Sequence, residues 1–229
     1  ITYFGREVID SHREGEQRIS LAKGFEISSN TVLVQAVYEN YKNNPKQFVD
    51  RINSMGLNKP IGLCLKGEGI PMIPQPGTSK WNRLSLPWMA FGYGVDVTPM
   101  QTLTLYNAIA NNGEMVKPRF IKELRKENRI KKSFQKEIIN PQIATSETIK
   151  KLKKVLENVV EKGTANNIYS SNFSMAGKTG TAQRRVNGQY IKGTYYVSFI
   201  GYFPVKNPKY TMLVAMDKPE GSSEGTYAR

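Results

Sequence analysis

Histidine and cysteine are almost missing from this chain: 229 residues contain one of each, His12 and Cys64. A single cysteine excludes an internal disulfide framework and leaves the redox compartment open. The pair also excludes a zinc site of the usual kind, and histidine acid–base chemistry would rest on His12 alone. No stretch approaches the roughly 18 consecutive apolar residues of a membrane-spanning helix. There is no internal repeat and no low-complexity linker, so no split into several domains is evident. The chain starts on Ile1 with no signal peptide and stops abruptly in EGTYAR, the texture expected of a piece of a longer protein.

Acidic residues are also scarce, 19 against 33 lysines and arginines, which leaves a net charge of +14. Such a balance suits either a solvated basic exterior or an anionic partner such as nucleic acid. The densest basic stretch, RKENRIKKSFQK (125–136), is interrupted by Glu127, carries one aromatic, Phe134, and comes with no nucleic-acid motif. The solvated surface is the better reading, and no nucleic-acid partner is expected.

What remains is an ordinary globular composition, 39% hydrophobic, with a core-forming length. Val34, Val37, Tyr38 and Tyr41 keep helical spacing until NNP stops them, and PKQFVDRINSMG predicts a second short helix with Phe48, Val49 and Ile52 inward. Residues 57–86 are rich in Pro and Gly and read as a long irregular connection. Thr98 caps a helix with Pro99 at its first position and Leu103, Tyr106 and Ile109 on its buried side. A longer helix spans about 146–162, with Ile149, Leu152, Val155, Leu156, Val159 and Val160 as its stripe and Gly163 as its stop.

After Asn172 the texture changes to strands: SMAGKTGTA, YYVSFIGYF and KYTMLVAMD, joined through QRRVNGQYIKGT with its Asn187-Gly188 turn and through PVKNPK. Connections this short predict antiparallel neighbours. The expected class is α+β, a mainly helical region over 1–170 followed by an antiparallel sheet over 171–229.

Gly177-Lys178-Thr179 invites a phosphate-loop reading, which fails on two counts. Asn172 stands where the first glycine of that motif belongs, and a hairpin signal follows where a helix is required. Lys-Thr-Gly also occurs in serine acyl-transferases that bind penicillin, beside a Ser-x-x-Lys nucleophile and a Ser-x-Asn motif. Lys178 supplies positive potential, and the Thr179 and Thr181 hydroxyls can donate to a carboxylate. Gly180 lets a substrate lie against the strand, and the Thr181 N–H can face a developing oxyanion. Ser28-Ser29-Asn30 matches Ser-x-Asn; the plain alternative makes Ser28 or Ser29 a helix cap.

With these motifs in order, and with FGYGVDVTPMQTLTLYNAIANNGEMVKPRFI (91–121) and VVEKGTANN between them, the chain resembles the transpeptidase domain of class B penicillin-binding proteins. Ser-Ser-Asn with the upstream Asp10-Ser11-His12 resembles the division (septal) branch. The resemblance implies the penicillin-binding transpeptidase fold, a helical lobe plus an antiparallel sheet, incomplete at both ends here. It implies cross-linking of peptidoglycan stem peptides through an acyl-serine, inhibition by β-lactams, and no cofactor or metal. By the same carry-over Ser28 relays a proton, Asn30 binds the substrate amide, Lys178 tunes the field, and Thr179, Gly180 and Thr181 hold the terminal carboxylate. Cell-division proteins are expected partners, with the domain outside the cytoplasmic membrane on an anchor that lies outside this chain.

The nucleophile is the departure. Two Ser-x-x-Lys matches exist, Ser20/Lys23 and Ser133/Lys136; the first lies too close to Ser28 and the second follows it in a solvated lysine-rich stretch. Both are read as chance, and the reacting serine is expected outside the chain. A non-catalytic scaffold or sensor of the same fold, and a nucleic-acid binder driven by charge, are the competing readings.

Overall fold

The computed structural model describes residues 1–11, 18–186 and 188–219. His12, Asn187 and the EGTYAR tail lie outside the described residues. Ser20 caps α1 (Leu21–Glu26), Ser29 caps α2 (Asn30–Tyr41), and α3 (Pro45–Ser54) begins on the proline of NNP. The Pro/Gly-rich connection runs into a short helix, α4 (Ser85–Met89), before α5 (Pro99–Ala110). α6 covers Ser146–Lys162 and ends at Gly163, as its apolar stripe requires.

α5 starts on a reciprocal capping box. Thr98 Oγ1 accepts from the Gln101 N–H at 3.1 Å, and Gln101 Oε1 accepts from the Thr98 N–H at 2.9 Å. The buried Gln101 amide also donates to the carbonyls of Leu57 and Lys59. One side chain therefore starts the helix and holds the irregular connection against it.

Three short two-stranded pairings lie in the region read as mainly helical. They are β1 (Thr2–Tyr3) with β2 (Arg6–Glu7), β3 (Met115–Val116) with β6 (Ile138–Asn140), and β4 (Glu123–Lys126) with β5 (Arg129–Ser133). The basic stretch 125–136 is thus a surface hairpin. Its turn residues Glu127 and Asn128 both take positive φ, 50° and 59°, as a tight two-residue hairpin turn demands. Charged residues on both faces hid the strand alternation. On α5 Ile109 is buried and Tyr106 packs against the core as expected, whereas Leu103 is half-buried and Gln101, Thr104, Ala108 and Ala110 join the inward face.

The main sheet is antiparallel in the order β7 (Ala176–Val186), β8 (Gln189–Phe203), β9 (Tyr210–Asp217). The connection expected over 183–194 is itself a long hairpin arm, with a bulge between Gln183 and Arg185. Tyr190 Oη accepts from the Gly94 N–H at 3.2 Å and ties the arm to the chain ahead of α5.

α5 and α6 pack on this sheet through Ala108, Ile109, Leu156, Ala176 and Tyr202, and a second cluster joins Val159, Val160 and Ala165 to Phe25 and Phe199. Within the sheet Gly177 and Gly201 let β7 and β8 lie close: a Cβ on either would stand 2.5 Å from a carbonyl oxygen of the paired strand. Among the described residues β7 pairs with β8 alone, so its other edge carries no strand, and Lys178 reaches from β7 to the turn after α1.

Candidate active site

α1 and α2 meet in a turn of three residues, Ile27 to Ser29, and the two serines there have different tasks. The Ser29 N–H donates to Gly24 O at 2.8 Å and the Ser28 N–H to Phe25 O at 3.1 Å. That pattern is a Schellman cap with Ser28 at its left-handed position, φ 58°, where glycine is usual. Ser29 closes the start of α2, accepting from the Val32 N–H at 3.2 Å. The capping role thus falls to Ser29, and Ser28 Oγ is left to face the sheet.

Lys178 meets it there. Its Nζ donates to Ser28 Oγ at 2.8 Å and to Thr179 O at 3.0 Å, and lies 5.8 Å from the centre of the Phe25 ring. No carboxylate among the described residues pairs with Lys178, and burial pushes its amine down to about 8. At neutral pH it is mostly protonated, a desolvated cation with a hydroxyl for a neighbour.

Thr179 and Thr181 stand two apart on β7 and share the face opposite Lys178. The Thr179 hydroxyl is 2.8 Å from that of Thr164, whose own N–H donates to Glu26 O at 3.1 Å. The Thr181 side chain is exposed. The backbone completes the arrangement. Thr179 O accepts from Lys178 Nζ, and the Gln183 N–H donates to Tyr93 Oη at 3.3 Å, so both residues turn their polar groups to the free edge. Alternation gives Thr181, midway between them, the same direction. Gly180 lies against β8, where an added Cβ would meet Ser198 Oγ at 2.7 Å.

Asn30 is near this group in sequence and occupied elsewhere: its Nδ2 donates to Ile9 O at 3.1 Å. Asp10 holds the same segment more firmly. Its carboxylate accepts from the Thr31 N–H at 2.9 Å and from the Ser29 and Thr31 hydroxyls, both at 2.8 Å. An acidic group at a helix N-terminus is favourable in its own right.

The two Ser-x-x-Lys matches both lie in exposed local structure. Ser20 Oγ is exposed and accepts the Lys23 N–H as the cap of α1. Ser133 ends an exposed strand, and Lys136 pairs with Glu114 at 2.7 Å.

Sequence reasoning missed Glu26, Asn158 and Thr164. Glu26 is 5% exposed; its side chain accepts from Asn158 on α6, and its carbonyl accepts from Thr164. The one available signal was the glycine of Gly163-Thr164, which sits so close to α1 that a Cβ would be 2.4 Å from Glu26 O.

Residues 2–229 match the family model described as "Penicillin binding protein transpeptidase domain". The chain belongs to the penicillin-binding transpeptidase family. It is 34% identical over 181 residues to the stage V sporulation protein D of Bacillus subtilis, which covers 77% of this chain and 28% of that protein. A probable peptidoglycan D,D-transpeptidase, PenA of Neisseria flavescens, is 26% identical over 179 residues, 76% of this chain and 41% of that one. The aztreonam complex of penicillin-binding protein 3 from Mycobacterium tuberculosis superposes with a TM-score of 0.82 at 26% identity, over 96% of this chain and half of that one. The chain therefore spans less than half the length of these curated relatives. Family and neighbours agree with the α+β fold expected, and they are class B proteins.

Proposed function

We propose that this chain forms one wall of the substrate cleft of a peptidoglycan D,D-transpeptidase, the cleft that takes the D-Ala-D-Ala end of a stem peptide. The observation that carries the reading is the 2.8 Å hydrogen bond from Lys178 to Ser28 at the free edge of β7. The open backbone edge and the Thr179 and Thr181 hydroxyls, in the field of a desolvated ammonium that reaches the same edge at Thr179 O, make a site for a peptide's terminal carboxylate.

In that role Thr179 and Thr181 donate to the carboxylate, and Gly180 keeps a side chain off the ledge. The Thr181 N–H donates to the oxyanion of the tetrahedral intermediate. Ser28 relays the proton to the leaving amine, and Lys178 holds its hydroxyl in place. Asn30 binds the substrate amide once Ile9 O is exchanged for it. The serine that attacks the carbonyl between the two D-alanines lies outside this chain, and an amine of a neighbouring strand then captures the acyl group. β-Lactams are the matching inhibitors. The intact protein works outside the cytoplasmic membrane in the division machinery, held by an anchor; among the described residues no helix is long and apolar enough to cross a membrane.

The test compares an N-acylated peptide ending in D-Ala-D-Ala with the same peptide carrying a C-terminal amide, each titrated against this chain. The free acid binds about tenfold or more tightly, the effect of two charge-assisted hydrogen bonds. Equal affinities overturn the reading. Intact-mass analysis with a labelled penicillin tests the missing nucleophile: no stoichiometric adduct forms, and one that did would return Ser20 to consideration.

A further inference from the structure

The β4–β5 hairpin stands almost wholly in solvent: all five residues of β5 are exposed, and so are three of the four of β4. A two-stranded hairpin without a buried face is marginal in water. The register makes this one costlier still. Lys126 faces Arg129 directly across the pair, Leu124 faces Lys132, and Lys131 is left unpaired where the register shifts. Like charges directly opposite one another are destabilising.

The two sides of the ribbon are unlike. Paired residues share a side, so alternation puts Glu123, Arg125, Ile130 and Ser133 together. There Arg125 meets the Glu123 carboxylate at 2.6 Å, and the charges cancel. The opposite side carries Leu124, Lys126, Arg129 and Lys132. None of these three cations has an ion-pair partner among the described residues; Lys132 leans instead over the Phe134 ring, 4.9 Å from its centre. Lys117 and Lys136, at the base of the arm, are by contrast paired with Glu137 and Glu114. Residues 119–136 hold eight lysines and arginines against two glutamates, so much of the chain's +14 sits on this arm and its uncompensated part on one side of it.

The chemistry of that side selects among anionic partners. A bilayer surface needs one apolar side to sink into it. Leu124 and Ile130 lie on opposite sides, and Glu127 occupies the tip. Nucleobases need aromatic platforms, and Phe134, the one aromatic of 125–136, has Lys132 over its ring. A folded protein partner buries an apolar core ringed by charge, and here Leu124 stands alone. A flexible chain of closely spaced anions fits. The Cβ atoms of Lys126 and Arg129 are about 5 Å apart, and Lys132 lies one rung further, about 7 Å along the strand. A tetrahedral phosphate has oxygens on several sides and bridges two such cations, whereas a planar carboxylate pairs best with a single guanidinium fork.

We infer that the side of the hairpin bearing Leu124, Lys126, Arg129 and Lys132 is a docking surface for a linear polymer of phosphodiesters, whose charge relieves the cross-strand repulsion. The surface uses none of the residues of the cleft and does not depend on the function proposed for it.

Short-chain linear polyphosphate, with the same tetrahedral and singly charged repeat, is the probe. Its binding to the chain is followed by calorimetry at rising salt. The log–log salt slope is about −2, the ion release of three contacts on a single-stranded polyanion. Lys126→Gln, Arg129→Gln and Lys132→Gln combined weaken binding about tenfold, the scale of three exposed ion pairs. Glutamine at Lys42, Lys46 and Lys151, exposed cations already paired with carboxylates, removes the same charge and changes binding less than about twofold. In the parent, hydrogen exchange over 123–133 slows when polyphosphate is added, which reads the contact without any substitution. Equal losses in the two triple variants, no slowing in the hairpin, or no binding at low salt overturns the docking surface. Tighter binding, per anionic group, of phosphatidylglycerol vesicles, of polyglutamate or of single-stranded DNA assigns the face to a bilayer, an acidic polypeptide or nucleic acid, and overturns it as well.

Discussion

Lys178 and Ser28 are 150 residues apart in sequence, and their side chains are 2.8 Å apart across the cleft. The contact joins the edge strand of the sheet to the turn between α1 and α2. It also places an ammonium where burial, with no carboxylate to offset it, works against its charge.

A pH-dependent stability follows from that burial. The Lys178 amine lies at about 8 in the folded protein and at 10.5 ordinarily. Below about 8 it is protonated in both folded and unfolded chains, and the full desolvation penalty of about 3 kcal/mol applies. Between 8 and 10.5 the unfolded chain binds more protons than the folded one, so stability rises with pH; above that window the penalty is gone. Lys178→Met is therefore more stable than the parent at pH 7, and the gap closes toward pH 10.5. Urea denaturation of both proteins at several pH values checks this, and a gap independent of pH would remove the desolvation account.

Ser28 is held at φ 58°, which any side chain with a Cβ resists. Ser28→Gly and Ser28→Ala both remove the hydroxyl that Lys178 meets, but only glycine relieves the backbone. The glycine variant is expected to be more stable than the alanine variant by about 1 kcal/mol. Both lose the polar function of the site to the same extent. Paired denaturation curves measure the difference, and equal stabilities would mean that the turn relaxes once the Lys178 contact is gone.

Asp10 fastens the first residues of the chain to the α2 N-terminus through three hydrogen bonds. Asp10→Ala should cost about 1–3 kcal/mol, with the Thr31 amide exchanging faster and the Asn30 side chain released from Ile9. Hydrogen exchange and denaturation together read this out. Unchanged protection at Thr31 would contradict the anchoring role.

The long helix and the Thr98–Pro99 start were legible because their periodicity, caps and stop residues agree with one another. The three main strands were legible from their apolar runs. The β4–β5 hairpin was not, because lysines and arginines on both faces erase the alternation that marks a strand. In the site, the motifs marked Ser28, Lys178 and the threonines, since residue type and spacing carry that chemistry. Spacing could not say that Ser29 caps while Ser28 turns toward the lysine; that division depends on a left-handed backbone. Nor could it find Thr164 or Glu26, which matter through where a carbonyl and an N–H come to lie.

Thr164 touches both sides of the cleft at once, its N–H on the last turn of α1 and its hydroxyl on Thr179. One residue thus works as a caliper, fixing the gap between helix and strand by the span of its own two polar atoms. Further along β7 a second clasp repeats the arrangement, with the Gln183 N–H on Tyr93 Oη and the Gly94 N–H on Tyr190 Oη, so the spacing set at Thr164 is held toward the hairpin as well.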